Sequence, residues 1–136
     1  MKLRLLASTP NVDALIATAM LTTTSGAAPS NLFHRLSANP GKVAEIVGRL
    51  EVQHGSILEH NRLNWLLEAG ENEVLKVLLI NRFFTFTRFG SNQWLVSANL
   101  RAVIEYAAEG DEFGNLLLES IKERLPSVYA FGRRGA

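Results

Sequence analysis

The chain contains no cysteine. That single absence excludes disulfides, thiolate metal sites and cysteine nucleophiles. Net charge is also nearly absent: 14 Lys+Arg stand against 13 Asp+Glu, which leaves +1. A binding mode that depends on a large basic field is therefore excluded, whereas a local basic patch is not. No stretch approaches the roughly 20 continuous apolar residues of a membrane span, so no membrane partner is expected. A secretory signal needs an unbroken apolar run of about 7–15 residues. Met1 to Leu6 is basic and apolar and Ala14 to Leu21 is mostly apolar, but Ser8, Thr9, Pro10, Asn11 and Asp13 interrupt the run. The expected location is cytoplasmic. Internal repeats and a domain-scale linker are missing as well.

What is present suffices for one folded unit. The chain has 136 residues, 47% of them hydrophobic and 20% charged. A chain of this size buries about two thirds of its unfolded surface and needs no covalent staple. Lys2 to Ala7 is Leu-rich and stopped by Ser8-Thr9-Pro10-Asn11, which predicts a strand and a turn. Asn11 is expected to cap a helix running to Leu21, with Asp13 in its first turn. Thr22 to Ser30 reads as a connector, followed by short helices over Asn31–Leu36 and from Lys42 to Leu50. Leu63, Trp65 and Leu67 alternate as in a strand, and Glu73 to Ile80 has helical spacing with acids at its start. Phe83 to Phe89 alternates aromatic and polar residues, Gly90-Ser91-Asn92 marks a turn, and Gln93 to Ala98 reads as a further strand. Asn99 caps a helix over Leu100–Ala108, and Phe113–Leu125 forms the last helix, stopped by Pro126. The expected class is α+β, with helices packed on a small, mostly antiparallel sheet. Residues 1–131 form the single domain and 132–136 a frayed tail.

The densest polar cluster is His54-Gly55-Ser56 followed by Glu59-His60. Its spacing matches neither the helical i, i+4 histidine pair nor a zinc finger, so no metal site is assigned. A Ser56–His60 nucleophile pair lacks the glycine-flanked elbow that such a serine needs. A helix start, with Ser56 as cap and Glu59 completing a capping box, accounts for two of the residues and leaves both histidines over. Phe83, Phe84, Phe86, Phe89, Trp65 and Trp94 suit a core or a subunit interface. Paired with Arg82 and Arg88 they would also suit a single-stranded nucleic-acid platform, which the acidic surroundings disfavour.

The segment His54-Gly55-Ser56-Ile57-Leu58-Glu59-His60, with the strand Leu63-Asn64-Trp65 after it, resembles the flavin-dependent thymidylate synthase family (thymidylate synthase-complementing proteins). The opening Met1 to Pro10 is similar to the start of bacterial members. Ser97-Ala98-Asn99-Leu100-Arg101 resembles the family's Thr-x-Asn-Leu-Arg entry into a helix, and Pro126 to Phe131 its closing region. The resemblance implies a thymidylate synthase-complementing fold and a homotetramer with sites between subunits. It further implies FAD as cofactor and reductive methylation of dUMP with a folate as one-carbon donor. Carried over residue by residue, it implies that Arg82 and Arg101 hold flavin phosphates, that Ser56 and Asn99 donate to the flavin, that His54 lies against it and that Arg88 contacts the nucleotide substrate.

The departures from the family are equally specific. Its Arg-His-Arg-x-x-Ser signature is reduced here to Arg82 and the Thr85 hydroxyl within Ile80-Asn81-Arg82-Phe83-Phe84-Thr85. No arginine occurs between Ala102 and Glu123, where the family places one on the uracil ring. The resemblance is thus to a shortened, divergent member with its catalytic signature largely lost. The alternative is a non-catalytic, oligomeric relative that keeps the fold and binds a nucleotide or a protein partner.

Overall fold

A computed structural model describes residues 1–51 and 55–135. Strand β1 (Lys2–Ser8) leads into helices α1 (Val12–Thr22), α2 (Pro29–Ser37) and α3 (Pro40–Val47). The single turn α4 (Gly55–Leu58) precedes β2 (Arg62–Glu68), and α5 (Glu71–Ile80) then crosses to β3 (Thr85–Gly90). A hairpin returns as β4 (Gln93–Asn99), which runs directly into α6 (Leu100–Ala107), followed by α7 (Glu112–Ile121) and α8 (Pro126–Gly135).

The four strands pair antiparallel in the order β1-β2-β4-β3. The β2–α5–β3 crossover leaves a gap in the sheet that the β3–β4 hairpin fills, so β4 becomes a central strand beside β2. Alternation then decides which face is covered. Leu63, Trp65 and Leu67 of β2 and Trp94, Val96 and Ala98 of β4 are buried beneath the helices. Leu6, Leu95 and Phe89 remain exposed. Trp65 is fully buried, and its indole donates to Ser120 Oγ of α7 at 2.9 Å, which removes the cost of an unpaired buried donor. Phe84, Tyr106 and Phe113 close the core edge-to-face, with ring centroids 5.2 to 5.7 Å apart. The Tyr106 hydroxyl donates to Asp111 Oδ2 at 2.7 Å, and burial first, then Asp111, pushes that phenol above its ordinary value.

The α+β class and the order of elements agree with the sequence pattern; three local expectations do not hold. Asn11 stands at the start of α1 in a left-handed conformation (φ 55°) and makes no side-chain cap. Asparagine tolerates that region because its short side chain does not clash as others do. Ser56 lies inside α4 instead of capping it, and the Glu59 carboxylate is taken by Arg101, so no capping box forms. The chain does not fray after Phe131: α8 continues through Gly135, and Ala136 lies outside the described residues. Pro126 ends nothing but serves as the first residue of this helix, where its missing N–H costs little. Gly132 explains the seating of α8. A Cβ there would lie 2.6 Å from Leu118 Cδ2, so any larger residue would force the Leu118 side chain to move.

Candidate functional site

One end of the sheet gathers the polar residues. Arg62 at the start of β2 is paired with Asn99 at the end of β4, and the Leu100 amide donates to the Asn61 carbonyl at 2.8 Å. The first turn of α6 is thereby fixed beside the turn that follows α4. Asn99 caps α6, its Oδ1 accepting from the Ala102 amide at 2.9 Å.

Arg101, in the first turn of α6, is the centre of the site. Nε donates to Glu105 Oε1 at 2.9 Å, and Nη1 donates to Glu59 Oε1 at 2.8 Å. The two carboxylates, Glu105 before Glu59, raise the arginine further above its already high value, so its charge is permanent. The stem of the guanidinium lies against Gly55: an added Cβ would sit 3.0 Å from Nε and 3.2 Å from Cζ. Glycine at this position gives the guanidinium its room, and a methyl group there would make it shift by a few tenths of an ångström.

Two shallow grooves flank Arg101. One, of about 370 Å³, is bounded by Gly55, Ser56, Leu58, Arg101, Ile104, Glu105 and Phe131. The other, of about 220 Å³, is bounded by Glu59, Phe83, Asn99, Arg101, Ala102 and Glu105. Ser56, Asn99 and Arg101 are thus brought to one place. Arg82 bounds neither groove; its guanidinium lies 5.1 Å above the ring of Phe83, which borders the second. Arg88 does not join them. It sits at the hairpin end of β3, opposite Trp94, over whose ring its guanidinium lies at 5.2 Å while Nη1 approaches Glu71 at 3.8 Å. Trp94 and Asn99 are five residues apart on β4, which places Arg88 about 17 Å from the cluster along the sheet. His54 lies outside the described residues.

Sequence reasoning missed two participants. Glu105 was legible, because Arg101 and Glu105 have the i, i+4 spacing of a helical ion pair. Phe83 was grouped with a strand, yet it precedes β3 and is 54% exposed at the edge of the groove. Nothing in a local pattern separates it from Phe84, which is buried.

Chemically, the cluster offers a fork-shaped cation, a hydroxyl and an amide around apolar walls. Such a set recognises a phosphate or carboxylate carried on an apolar or aromatic body. Arg101 can do so only by sharing or giving up its present carboxylate partners.

No family model and no curated protein matches the chain. Solved structures do. A crystal structure of the flavin-dependent thymidylate synthase ThyX from Helicobacter pylori, complexed with FAD and dUMP, superimposes with a TM-score of 0.69 over 95% of this chain and 98% of that one, at 12% identity. A second structure of ThyX from that organism, with FAD and dUMP, gives 0.69 over 97% and 99%, also at 12% identity. The likeness spans nearly the whole of both chains, and at this identity it establishes that the fold is the one ThyX has.

Proposed function

We propose that this chain is a flavin-dependent thymidylate synthase-like protein that binds FAD through the Arg101 cluster, in a site completed by a second copy of itself. The observation that carries this reading is the convergence of Arg101, Ser56 and Asn99, from two segments more than 40 residues apart, on one open groove. The ThyX-like fold supports it, since the neighbours of that fold hold FAD and dUMP.

The residues suit the phosphate end of a flavin nucleotide. Arg101 supplies the fork, Ser56 and Asn99 neutral donors, and Arg82 a second cation over the Phe83 ring. The grooves are small for the rings, since sites for whole cofactors run to about 300–1,000 Å³. A second subunit would supply the missing wall. Phe83, 54% exposed, is apolar surface at that opening, and Leu79, 86% exposed in the last turn of α5, is apolar surface four residues before it, both of which an assembly would cover. A tetramer is the arrangement the resemblance implies. FAD, once bound and reduced by an external hydride donor, would supply the hydride for reductive methylation of dUMP, with a methylene-carrying folate giving the carbon. In this reading Arg82 and Arg101 hold phosphates, Ser56, Asn99 and His54 face the flavin, and Arg88 serves the dUMP of a site to which another subunit contributes.

A second reading has its own support. Two of the Arg101 donors are occupied by Glu105 and Glu59, and the Arg-His-Arg signature is missing. A non-catalytic relative, oligomeric and binding a nucleotide or a protein partner, fits both facts.

The deciding experiment is an absorption spectrum of purified protein after incubation with FAD and removal of the excess. The first reading expects a retained flavin band near one per chain. A protein that retains no flavin leaves the fold in place and turns the conclusion to the second reading.

A further inference from the structure

Helix α5 carries an apolar stripe on its outer side. Val74 and Val77 are buried, while Leu75, Leu78 and Leu79 stand exposed. With Glu71, the first residue of the helix, the three leucines are spaced i, i+4, i+7 and i+8, which sets all four residues on one face. Arg82 follows two residues after the helix ends and is exposed as well. An exposed carboxylate thus opens the stripe, three leucines fill it and an exposed guanidinium closes it.

The other charges nearby leave this polarity intact. Glu73 is spent at the helix start, where Oε1 accepts from the Gly70 amide at 2.9 Å. Lys76 and Ile80 are exposed on the flank, off the stripe. Glu71 meets Arg88 only loosely, at 3.8 Å, with both side chains exposed. Arg82 forms no ion pair among the described residues, and its guanidinium lies over the Phe83 ring. Within one chain Glu71 and Arg82 stand at opposite ends of α5, about 15 Å apart at 1.5 Å per residue, and cannot meet.

We propose that α5 is a self-association surface, packed antiparallel on α5 of a second copy about a two-fold axis. With the axis level with Val77, Leu75 of each copy meets Leu79 of the other. Glu71 then reaches the end of the opposite helix, where Arg82 stands. Charge sets the direction: a parallel pair would put Glu71 on Glu71 and Arg82 on Arg82, whereas the antiparallel pair joins opposite charges at both ends and opposes the helix dipoles. A two-fold interface uses one patch twice, and this stripe is complementary to itself. The proposal rests on self-association, which both readings above include, and on the ligand of neither.

Charge reversal tests the pairing, read by sedimentation of flavin-free protein at a concentration where the parent is assembled. Glu71→Arg and Arg82→Glu should each shift the protein to a smaller species. The double variant Glu71→Arg/Arg82→Glu should recover the assembled one, and that recovery cannot arise inside a single chain, where the two residues are too far apart. Leu75→Glu should also dissociate the assembly. All three positions are exposed, so the fold of the single chain should hold in every variant. A parent that sediments as a single chain at every concentration, single reversals without effect, or a double variant that stays dissociated would each overturn the proposal. Flavin retention is read separately by absorption. Flavin kept by an assembly indifferent to the reversals would sink this interface and leave the flavin reading standing, and an assembly that obeys them without retaining flavin would do the opposite.

Discussion

Arg101 and Gly55 are in direct contact: the guanidinium of α6 rests on the first residue of α4, so closely that a methyl group there would make it give way. The arginine cannot swing away freely, because Glu105 and Glu59 hold Nε and Nη1 at 2.9 and 2.8 Å. Gly55→Ala should therefore displace the guanidinium while changing folding stability by under about 1 kcal/mol, since alanine is otherwise tolerated at a helix start. Flavin retention should fall in the variant while its thermal midpoint stays near that of the parent. Unchanged retention would mean that the guanidinium is not placed by Gly55.

Arg101 itself gives a sharper expectation. Arg101→Ala should abolish retention of FAD, and Arg101→Lys should restore it only in part, because an ammonium lacks the planar fork that meets a phosphate with two parallel bonds. Equal retention by the lysine and arginine forms would show that charge alone is read. Glu59→Gln should strengthen binding of pyrophosphate, since a neutral amide competes less well for Nη1 than a carboxylate does. A titration monitored by calorimetry measures each.

How much of this was legible in the sequence follows from the range of the interactions involved. The strands over Leu63–Leu67 and Gln93–Ala98 were readable because one face of each is buried, and burial imposes alternation on the residues. The Asn99 cap was readable because it acts over three residues, on Ala102. The end of the chain reads as a tail because terminal residues carry no local packing signal. The closeness of Gly132 to the Leu118 side chain of another helix lies outside any local pattern. The site divides the same way. Arg101 and Glu105 are neighbours by helical spacing, whereas the meeting of Arg101 with Glu59 depends on strand register across 42 residues.

Trp65 tests the packing of the central strand. It is fully buried, and its indole is satisfied by Ser120. Trp65→Ala should cost about 3–5 kcal/mol by removal of contacts and opening of a cavity. Trp65→Phe should cost less, the remainder reflecting the Ser120 hydroxyl left without its donor. Denaturant unfolding measures both, and a loss under about 1 kcal/mol for alanine would refute the register that buries this face of β2.

Asp13 carries a pH dependence whose sign is fixed by burial. Desolvation raises its carboxyl above the ordinary value, against a smaller opposing effect from a hydrogen bond with Ser127. A group whose folded value is raised favours the folded state at pH below its unfolded value, and that advantage is lost as pH climbs through the folded value. At neutral pH the protein thus keeps a charge where it is poorly solvated, and Oδ1 finds no partner among the described residues. Asp13→Asn should be more stable than the parent at pH 7, and the difference should vanish at pH below the ordinary aspartate value of about 4. A stability gain that persists at acid pH would mean that the charge is not its cause.

Two exposed apolar residues test the proposed assembly. Leu79, at 86% exposure, lies in the last turn of α5, and Phe83, at 54%, lies four residues on at the mouth of the groove. Neither side chain contributes much to the fold of a single chain, so replacing either by glutamate should leave the thermal midpoint of the monomer nearly unchanged. In an assembly closed over the groove, the same charge would be buried without a partner, at a cost of several kcal/mol. Leu79→Glu and Phe83→Glu should accordingly shift the protein to a smaller species by sedimentation, and Phe83→Glu should lose flavin retention along with it. Flavin kept by a monomeric Leu79→Glu variant would separate the two effects, and would place the whole cofactor site within one chain.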